Sequence, residues 1–258
     1  MKVVIFAGGL GTRISEETGT RPKPMVEIGG KPILWHIMKI YSHYGFNDFI
    51  VCLGYKGYVI KEYFMNYFLH NSDISIDLTN NRTEILGTSS EPFKVTLVET
   101  GEDTKTAGRL QQVKQYIGNE DFMLTYGDGV SDVNLKELLS FHKAHGKTAT
   151  VTAVQMEARF GGMELGDGGE VEAFREKAKD EGKWINGGFF VLKPDVFNYL
   201  QEEMRNMMWE DKPLEKLTAD RQLVAYRHKG FWKCMDALRD KLELEEMWKN
   251  NQAKWKLW

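Results

Sequence analysis

Over the first 155 residues the apolar positions switch between two spacings. Lys2 to Phe6 is a short, nearly unbroken apolar run that ends at glycines, the pattern of a buried strand. Pro32 suits the first turn of a helix. Ile33, Leu34, Ile37, Met38 and Tyr41 then recur at helical spacing, and Gly45 fits the stop. Asp48 to Leu53 is another strand-like run closed by a glycine, and Tyr58 to Phe68 is helical in pattern. Val95 to Val98 reads as a strand, and Leu110 to Ile117 as a short helix ended by Gly118. Phe122 to Tyr126 is an apolar run stopped by Gly-Asp-Gly. Leu135 to His145 is a helix closed by Gly146, and Thr148 to Val154 is a β-branched run. This alternation predicts βαβ crossovers. The expected fold class is α/β, a Rossmann-like mixed, mainly parallel sheet flanked by helices.

After Gln155 the pattern becomes more β-rich. Gly161 to Leu165, a Gly-Asp-Gly-Gly turn and Val171 to Phe174 read as a hairpin. Lys183 to Leu192 is a strand region interrupted by Gly187 and Gly188. Leu223 to Tyr226 is a short strand, and Leu238 to Trp248 a charged amphipathic helix. The stretch Ser72 to Pro92 is polar, carries an Asn-Asn-Arg turn and reads as an excursion from the sheet. No Pro/Ser/Gly linker divides the chain. A single domain over 1–258 is expected, with 1–155 as one half and 156–258 as the other.

The 258 residues are 42% hydrophobic and 28% charged, which argues against global disorder. Lys and Arg number 34 against 37 Asp and Glu, a net charge of −3. That balance argues against broad binding to nucleic acid. No apolar run approaches the roughly 20 residues of a membrane helix, and the N-terminus does not read as a signal peptide. Cys52 and Cys234 form no CxxC pair, so two reduced thiols in the cytoplasm is the expectation.

Both glycine-rich turns, after Phe6 and after Tyr126, fall at carboxyl ends of expected strands, where open α/β sheets bind ligands. In Ala7-Gly8-Gly9-Leu10-Gly11-Thr12-Arg13 the glycines let the backbone approach a ligand and aim its amides at an anion. The turn is not a Walker loop, and Ile14 stands where a dinucleotide fingerprint needs its third glycine. Arg13 follows at once, and Lys23 lies between Pro22 and Pro24. A triphosphate, with about four negative charges, calls for two or more cations around an amide cradle. On spacing alone Asp128 reads equally as an Asx-turn residue, and Asp236 as a cap for the helix that follows.

Ala-Gly-Gly-Leu-Gly-Thr-Arg followed by Lys-Pro-Met resembles the signature of the sugar-1-phosphate nucleotidylyltransferase family. The likeness extends along nearly the whole chain. It is carried by Gly30-Lys31-Pro32-Ile33-Leu34, Gly54-Tyr55-Lys56, Thr125-Tyr126-Gly127-Asp128-Gly129-Val130, Glu176-Lys177, Asn186-Gly187-Gly188-Phe189-Phe190 and Phe231-Trp232-Lys233-Cys234-Met235-Asp236. Trp35-His36-Ile37-Met38, Gly-Asp-Gly in place of Gly-Asp-Asn, and Leu238-Arg239-Asp240 resemble the branch that uses CTP and glucose 1-phosphate.

The resemblance implies transfer of a cytidylyl group from CTP to α-D-glucose 1-phosphate, giving CDP-glucose and pyrophosphate with Mg²⁺. The product would feed deoxysugar and surface polysaccharide synthesis. It implies Arg13, Lys23 and Asp128 as the catalytic set, with Asp128 and Asp236 holding the metal. Phe6, Ala7, Gly8, Gly9, Leu10, Gly11, Thr12, Arg13, Lys23, Thr104, Arg109, Gly127 and Gly129 would bind the nucleotide, Thr104 and Arg109 reading the base. Glu176, Lys177, Asn186 and Gly187 would bind the sugar phosphate, under cover of the β-rich half. A homo-oligomer is implied, with Ser72 to Pro92 and the C-terminal tryptophans as candidate contacts.

Two positions depart from the family pattern: Ala178 replaces a proline after Lys177, and Ala237 replaces a threonine beside Asp236. They keep open the same chemistry with another nucleotide or sugar phosphate. A glycosyltransferase is disfavoured because Val130 stands where Asp-x-Asp needs its second carboxylate. A non-catalytic nucleotide-sugar sensor would have no need of the whole charged set. His142 and His145, at i and i+3, read as an exposed helix face rather than a zinc site. Trp248, Trp255 and Trp258 read as a tail packed on its own domain or on a neighbouring subunit.

Overall fold

A computed structural model of the chain describes all residues except 10, 156–161, 166–170, 176–183 and 201–202; at 15, 16, 162–165 and 171–175 it describes the backbone alone. The chain opens with β1 (Lys2–Phe6), the single turn α1 (Ser15–Thr18), β2 (Glu27–Ile28), β3 (Lys31–Pro32) and α2 (Ile33–His43). It continues through β4 (Asp48–Leu53), α3 (Gly57–His70), β5 (Ser72–Asp77), β6 (Arg82–Thr88) and β7 (Lys94–Glu99). Then come α4 (Thr106–Gln112), α5 (Lys114–Ile117), β8 (Phe122–Tyr126), β9 (Gly129–Ser131), α6 (Leu135–His145) and β10 (Ala149–Val154). The remainder holds β11 (Gly162–Leu165), β12 (Val171–Arg175), β13 (Ile185–Leu192), α7 (Lys212–Ala219), β14 (Leu223–His228), β15 (Trp232–Cys234) and α8 (Leu238–Lys249).

Seven strands form one sheet in the order β14-β10-β13-β8-β1-β4-β7. β8, β1, β4 and β7 pair in parallel, as do β10 and β14; β13 runs antiparallel to both its neighbours. The fold is therefore α/β with a mixed, mainly parallel sheet, and β13 and β14 from the second half complete the sheet begun in the first. The central strands read as continuous apolar runs because both faces are covered. Val3 and Ile5 of β1 enter one hydrophobic cluster with α2, while Val4 and Phe6 enter the other with α4. Phe49, Val51 and Leu53 of β4 alternate with Ile50 and Cys52 in the same way.

Three expectations need correction. The helix expected over Leu110–Ile117 starts at Thr106 and is broken at Val113 into α4 and α5. Val113 accepts no continuation because its backbone turns to ψ 0°, the geometry of a tight turn. The glycines of β13 make a bulge, not an interruption: Gly188 and Phe189 take positive φ, and pairing with β10 slips between Val151 and Ala153. The expected start of that strand at Lys183 lies outside the described residues, as do Gly161 and the turn between β11 and β12.

The third correction concerns His142, which is fully buried rather than exposed. Lys147 N–H donates to His145 Nδ1 at 3.0 Å, so the His145 proton sits on Nε2, 2.7 Å from Thr150 Oγ1. Thr150 can then donate to His142 Nδ1, also at 2.7 Å. This leaves His142 Nε2–H buried with no partner among the described residues. Period-3.6 counting placed His142 on the helix but could not foresee that α6 turns it onto the threonine side chain of β10.

The tryptophan tail packs on its own domain. Trp255 is 1% exposed, and Trp248, Trp255, Trp258 and Trp35 surround the His36 ring. His36 Nε2 donates to Ile28 O at 2.8 Å and Trp255 Nε1 donates to His36 Nδ1 at 3.4 Å. The stretch from Ser72 becomes the hairpin β5–β6, outside the main sheet and exposed along nearly its whole length. Among the described residues no helix is long and apolar enough to cross a membrane, and both cysteines are free.

Candidate active site

Phe6 and Tyr126 are register partners at the carboxyl ends of the neighbouring parallel strands β1 and β8. From β1 the chain goes on to β4 and β7 on one side, while β8 returns to the other, so a crevice opens beyond these two ends. Gly127 N–H donates to Phe6 O at 2.9 Å and ties the turns together. A Cβ on Gly127 would stand 2.6 Å from Phe6 O, so the strand approach itself demands glycine there. The same crowding holds at Gly8, whose Cβ would meet the Arg109 guanidinium.

A cleft of about 670 Å³ fills this crevice, a volume that suits a nucleotide. Its floor is the first glycine-rich turn: Phe6, Ala7, Gly8, Gly9, Gly11 and Thr12 all line it. Arg13, Lys23, Gly127, Asp128 and Asp236 line the charged side, and Thr104 and Arg109 the wall that leads into α4. Gly129 is not one of the lining residues; it pairs with Cys234 between β9 and β15. Asn186, the second residue of β13, donates at 3.2 Å to Oη of Tyr126, which lines the cleft, while Gly187 O accepts from Trp232 Nε1 at 2.7 Å. Leu10, Glu176 and Lys177 lie outside the described residues.

Three distant segments meet at the charged side. Lys23 begins a short 3₁₀ turn between Pro22, in extended backbone, and buried Pro24. Its Nζ lies 2.7 Å from Asp128 Oδ2 and 2.7 Å from Asp236 Oδ1. Arg13, with a side chain 78% exposed, reaches Asp236 Oδ2 at 3.3 Å. Burial alone would lower the Lys23 pKa, but the facing carboxylates outweigh it and raise the ammonium above its ordinary value. Burial would likewise raise the Asp236 carboxyl, yet Lys23, Arg13 and Cys234 together hold it below the usual range.

Asp236 does not cap α8. That task falls to Asp240, whose Oδ2 accepts from Asp236 N at 3.0 Å and Ala237 N at 2.9 Å. Asp240 thus serves the helix start where Ala237 has no side-chain acceptor, and Asp236 is free to face the cleft.

Arg109 is 3% exposed and is held on every side by protein acceptors. Nη1 donates to Leu53 O at 2.8 Å and Thr100 Oγ1 at 2.6 Å; Nη2 donates to Gly8 O at 2.9 Å and Glu102 O at 3.2 Å. In this arrangement the guanidinium fastens the glycine-rich turn to the end of β4.

The sequence reading missed Glu102, Asp103 and Thr106, which line the cleft beside Thr104, and four further residues: Lys105, Asn206 and Met208 line the cleft, and Glu210 hydrogen-bonds Tyr126 Oη and accepts from Thr106 Oγ1 at 3.1 Å. Lys105 could have been noticed as a cation beside Thr104. Nothing in the spacing of 204–211 marks the other three, because that stretch has no regular period.

Among the described residues no group of three or more His, Cys, Asp or Glu is placed to hold a metal. The pair Asp128 and Asp236 suits a hard cation that completes its shell with phosphate and water, as Mg²⁺ does. The seat of the Lys23 ammonium between them shows that a positive charge is accommodated there.

A glucose-1-phosphate cytidylyltransferase of Salmonella typhi is 54% identical to this chain over 259 aligned positions, with 100% of both chains covered. In fold the chain is similar to HddC from Yersinia pseudotuberculosis, at a TM-score of 0.69 and 24% identity, covering 96% of this chain and 99% of that one. It is similar too to a UDP-glucose pyrophosphorylase complexed with UDP-glucose, at a TM-score of 0.68 and 19% identity, covering 97% and 98%. The family model described as Nucleotidyl transferase matches residues 2–248. With that match over nearly its full length, the chain belongs to the nucleotidyl transferase family.

Proposed function

We propose that this protein is a glucose-1-phosphate cytidylyltransferase: it transfers the cytidylyl group of CTP to α-D-glucose 1-phosphate and releases pyrophosphate. The observation that carries this reading is 54% identity, end to end, to the Salmonella typhi enzyme of that name. A phosphate oxygen of the sugar attacks the α-phosphorus, forming the new P–O bond as the bond to the β-phosphate breaks. The attacking oxygen is already anionic at pH 7, so no general base is needed. The work is positioning and neutralisation of charge.

The backbone amides of the glycine-rich turn cradle the phosphates, and Arg13 and Lys23 offset their charge. Thr104 and Arg109 read the base, Arg109 exchanging part of its protein contacts for cytosine O2 and N3. Gly127 and Gly129 shape the nucleoside's surroundings. Lys177 meets the sugar phosphate, with Glu176, Asn186 and Gly187 on the hexose; Asn186 donates to Tyr126, which lines the cleft. Asp128 and Asp236 hold Mg²⁺, which when bound adds positive charge at the departing pyrophosphate. CDP-glucose made in this way feeds deoxysugar synthesis for a surface polysaccharide, in the cytoplasm.

The working form is a homo-oligomer. Support comes from the hairpin β5–β6 and the adjoining end of α3, where Ile76, Leu78, Leu86 and Met65 are 56%, 88%, 65% and 80% exposed. An isolated two-stranded hairpin with this much exposed apolar surface is marginal on its own. Light scattering that returned only the monomer mass would overturn this part.

The reading as a whole is tested by incubating the protein with CTP, glucose 1-phosphate and Mg²⁺ and identifying products by mass. Equal amounts of CDP-glucose and pyrophosphate are expected. Failure to form CDP-glucose would overturn it.

A further inference from the structure

This inference rests on the reading of Asp128 and Asp236 as the metal-holding pair. Lys23 Nζ stands 2.7 Å from one oxygen of each, so those two oxygens are no farther apart than twice that distance. Carboxylates this close repel one another unless a cation lies between them. One ammonium serves both, using two of its three donors. Yet the same ammonium is the charge assigned to the triphosphate. Its single positive charge cannot offset two carboxylates and a triphosphate together.

We propose that Lys23 keeps the metal's place. In the ligand-free protein its ammonium fills the gap between Asp128 and Asp236, and metal and triphosphate enter as a coupled pair. The phosphates draw Lys23 away while the metal takes over the carboxylates it leaves.

The local build suits a side-chain switch. Pro22 and buried Pro24 flank Lys23, and Lys23 O accepts from Val26 N at 3.1 Å, so the backbone is pinned. The flexible four-carbon stem carries the movement. Arg13 cannot substitute as the tether, since it is largely exposed and touches only Asp236 of the pair, at 3.3 Å. A tethered cation at both carboxylates competes with any metal arriving alone. Triphosphate removes that competitor, and by linkage the metal favours the nucleotide in equal measure.

The test is a titration of the full-length protein with Mn²⁺ alone, free Mn²⁺ being counted by electron paramagnetic resonance. Lys23→Met should bind Mn²⁺ more tightly than the unaltered protein, by about tenfold or more, because the competitor is gone. Adding Asp236→Asn to Lys23→Met should abolish the gain. If the bare carboxylate pair weakens folding of Lys23→Met, thermal melting supplies the second reading. Mn²⁺ should then raise the Tm of Lys23→Met more than that of the unaltered protein. Equal or weaker Mn²⁺ affinity in Lys23→Met, with no larger Tm gain, would overturn the proposal. The titration uses no substrate. Absence of CDP-glucose alongside the Mn²⁺ gain would therefore sink only the substrate reading, and turnover without the gain only this one.

Discussion

Lys23 Nζ lies 2.7 Å from Asp236 Oδ1 although 213 positions separate the two residues in the chain. Asp128 joins them at the same distance. The charged centre therefore exists only when the 3₁₀ turn at Lys23, the turn after β8 and the turn before α8 are all in place. Loss of the C-terminal part should abolish the site even if the glycine-rich turn survives.

Lys23→Ala removes the most central positive charge of the cleft. Turnover should fall by about 10²-fold or more, the scale seen when one transition-state donor is deleted. Far-ultraviolet circular dichroism should be unchanged. Rates within a few-fold of the starting protein would refute the role given to Lys23.

Asp128→Asn keeps the shape of the turn and removes one of the two charges proposed to hold the metal. The Mg²⁺ concentration for half-maximal rate should rise by about tenfold or more, with kcat reduced as well. A titration curve superimposable on that of the unaltered protein would count against metal holding.

Arg109→Ala should act on both stability and selectivity. The Leu53 and Gly8 carbonyls lose a charged donor, and each such hydrogen bond is worth about 1.5–3 kcal/mol. A lowered Tm should accompany a flattened CTP-to-UTP preference, both measurable on one preparation. A lowered Tm with unchanged preference would leave Arg109 as a fastener of the loop alone.

Acid should weaken the fold in a defined window. Burial holds His36 and His142 down to about 4, against about 6.5 when unfolded. Above pH 6.5 both are neutral folded or unfolded, so they give no pH dependence there. Between about 6.5 and 4 the unfolded chain binds more protons, and stability falls as the pH falls. Urea melts at pH 7 and pH 5 should show the loss, and His142→Gln should reduce it. Equal midpoints would contradict the burial argument.

Trp255→Ala should open a cavity against His36 and Phe231 and cost about 3–5 kcal/mol. A change of under 1 kcal/mol in a urea melt would show that the tail is dispensable.

Most of the sheet could be read from the sequence because its central strands are buried on both faces and end at glycines. The glycine-rich turns and Lys23 between its prolines stood out locally, whereas Asp128 and Asp236 were singled out only by the family resemblance, since spacing alone read them as a turn residue and a helix cap. What could not be read depended on tertiary contacts. Spacing could not reveal that Arg109 is spent on four protein acceptors, or that Asp240 rather than Asp236 caps α8. The buried chain His145–Thr150–His142 needs α6 and β10 to be packed together, which helical periodicity does not encode. Glu210 and Asn206 come from an irregular stretch anchored by buried Met204 and Trp209 and by backbone hydrogen bonds to the start of α4, contacts that no sequence period encodes.

The most direct test of the account is pyrophosphate release with Mg²⁺ and glucose 1-phosphate, run separately with CTP, UTP, dTTP, ATP and GTP. The account predicts a strong preference for CTP. Preference for another nucleotide, or no release with any of the five, would contradict it.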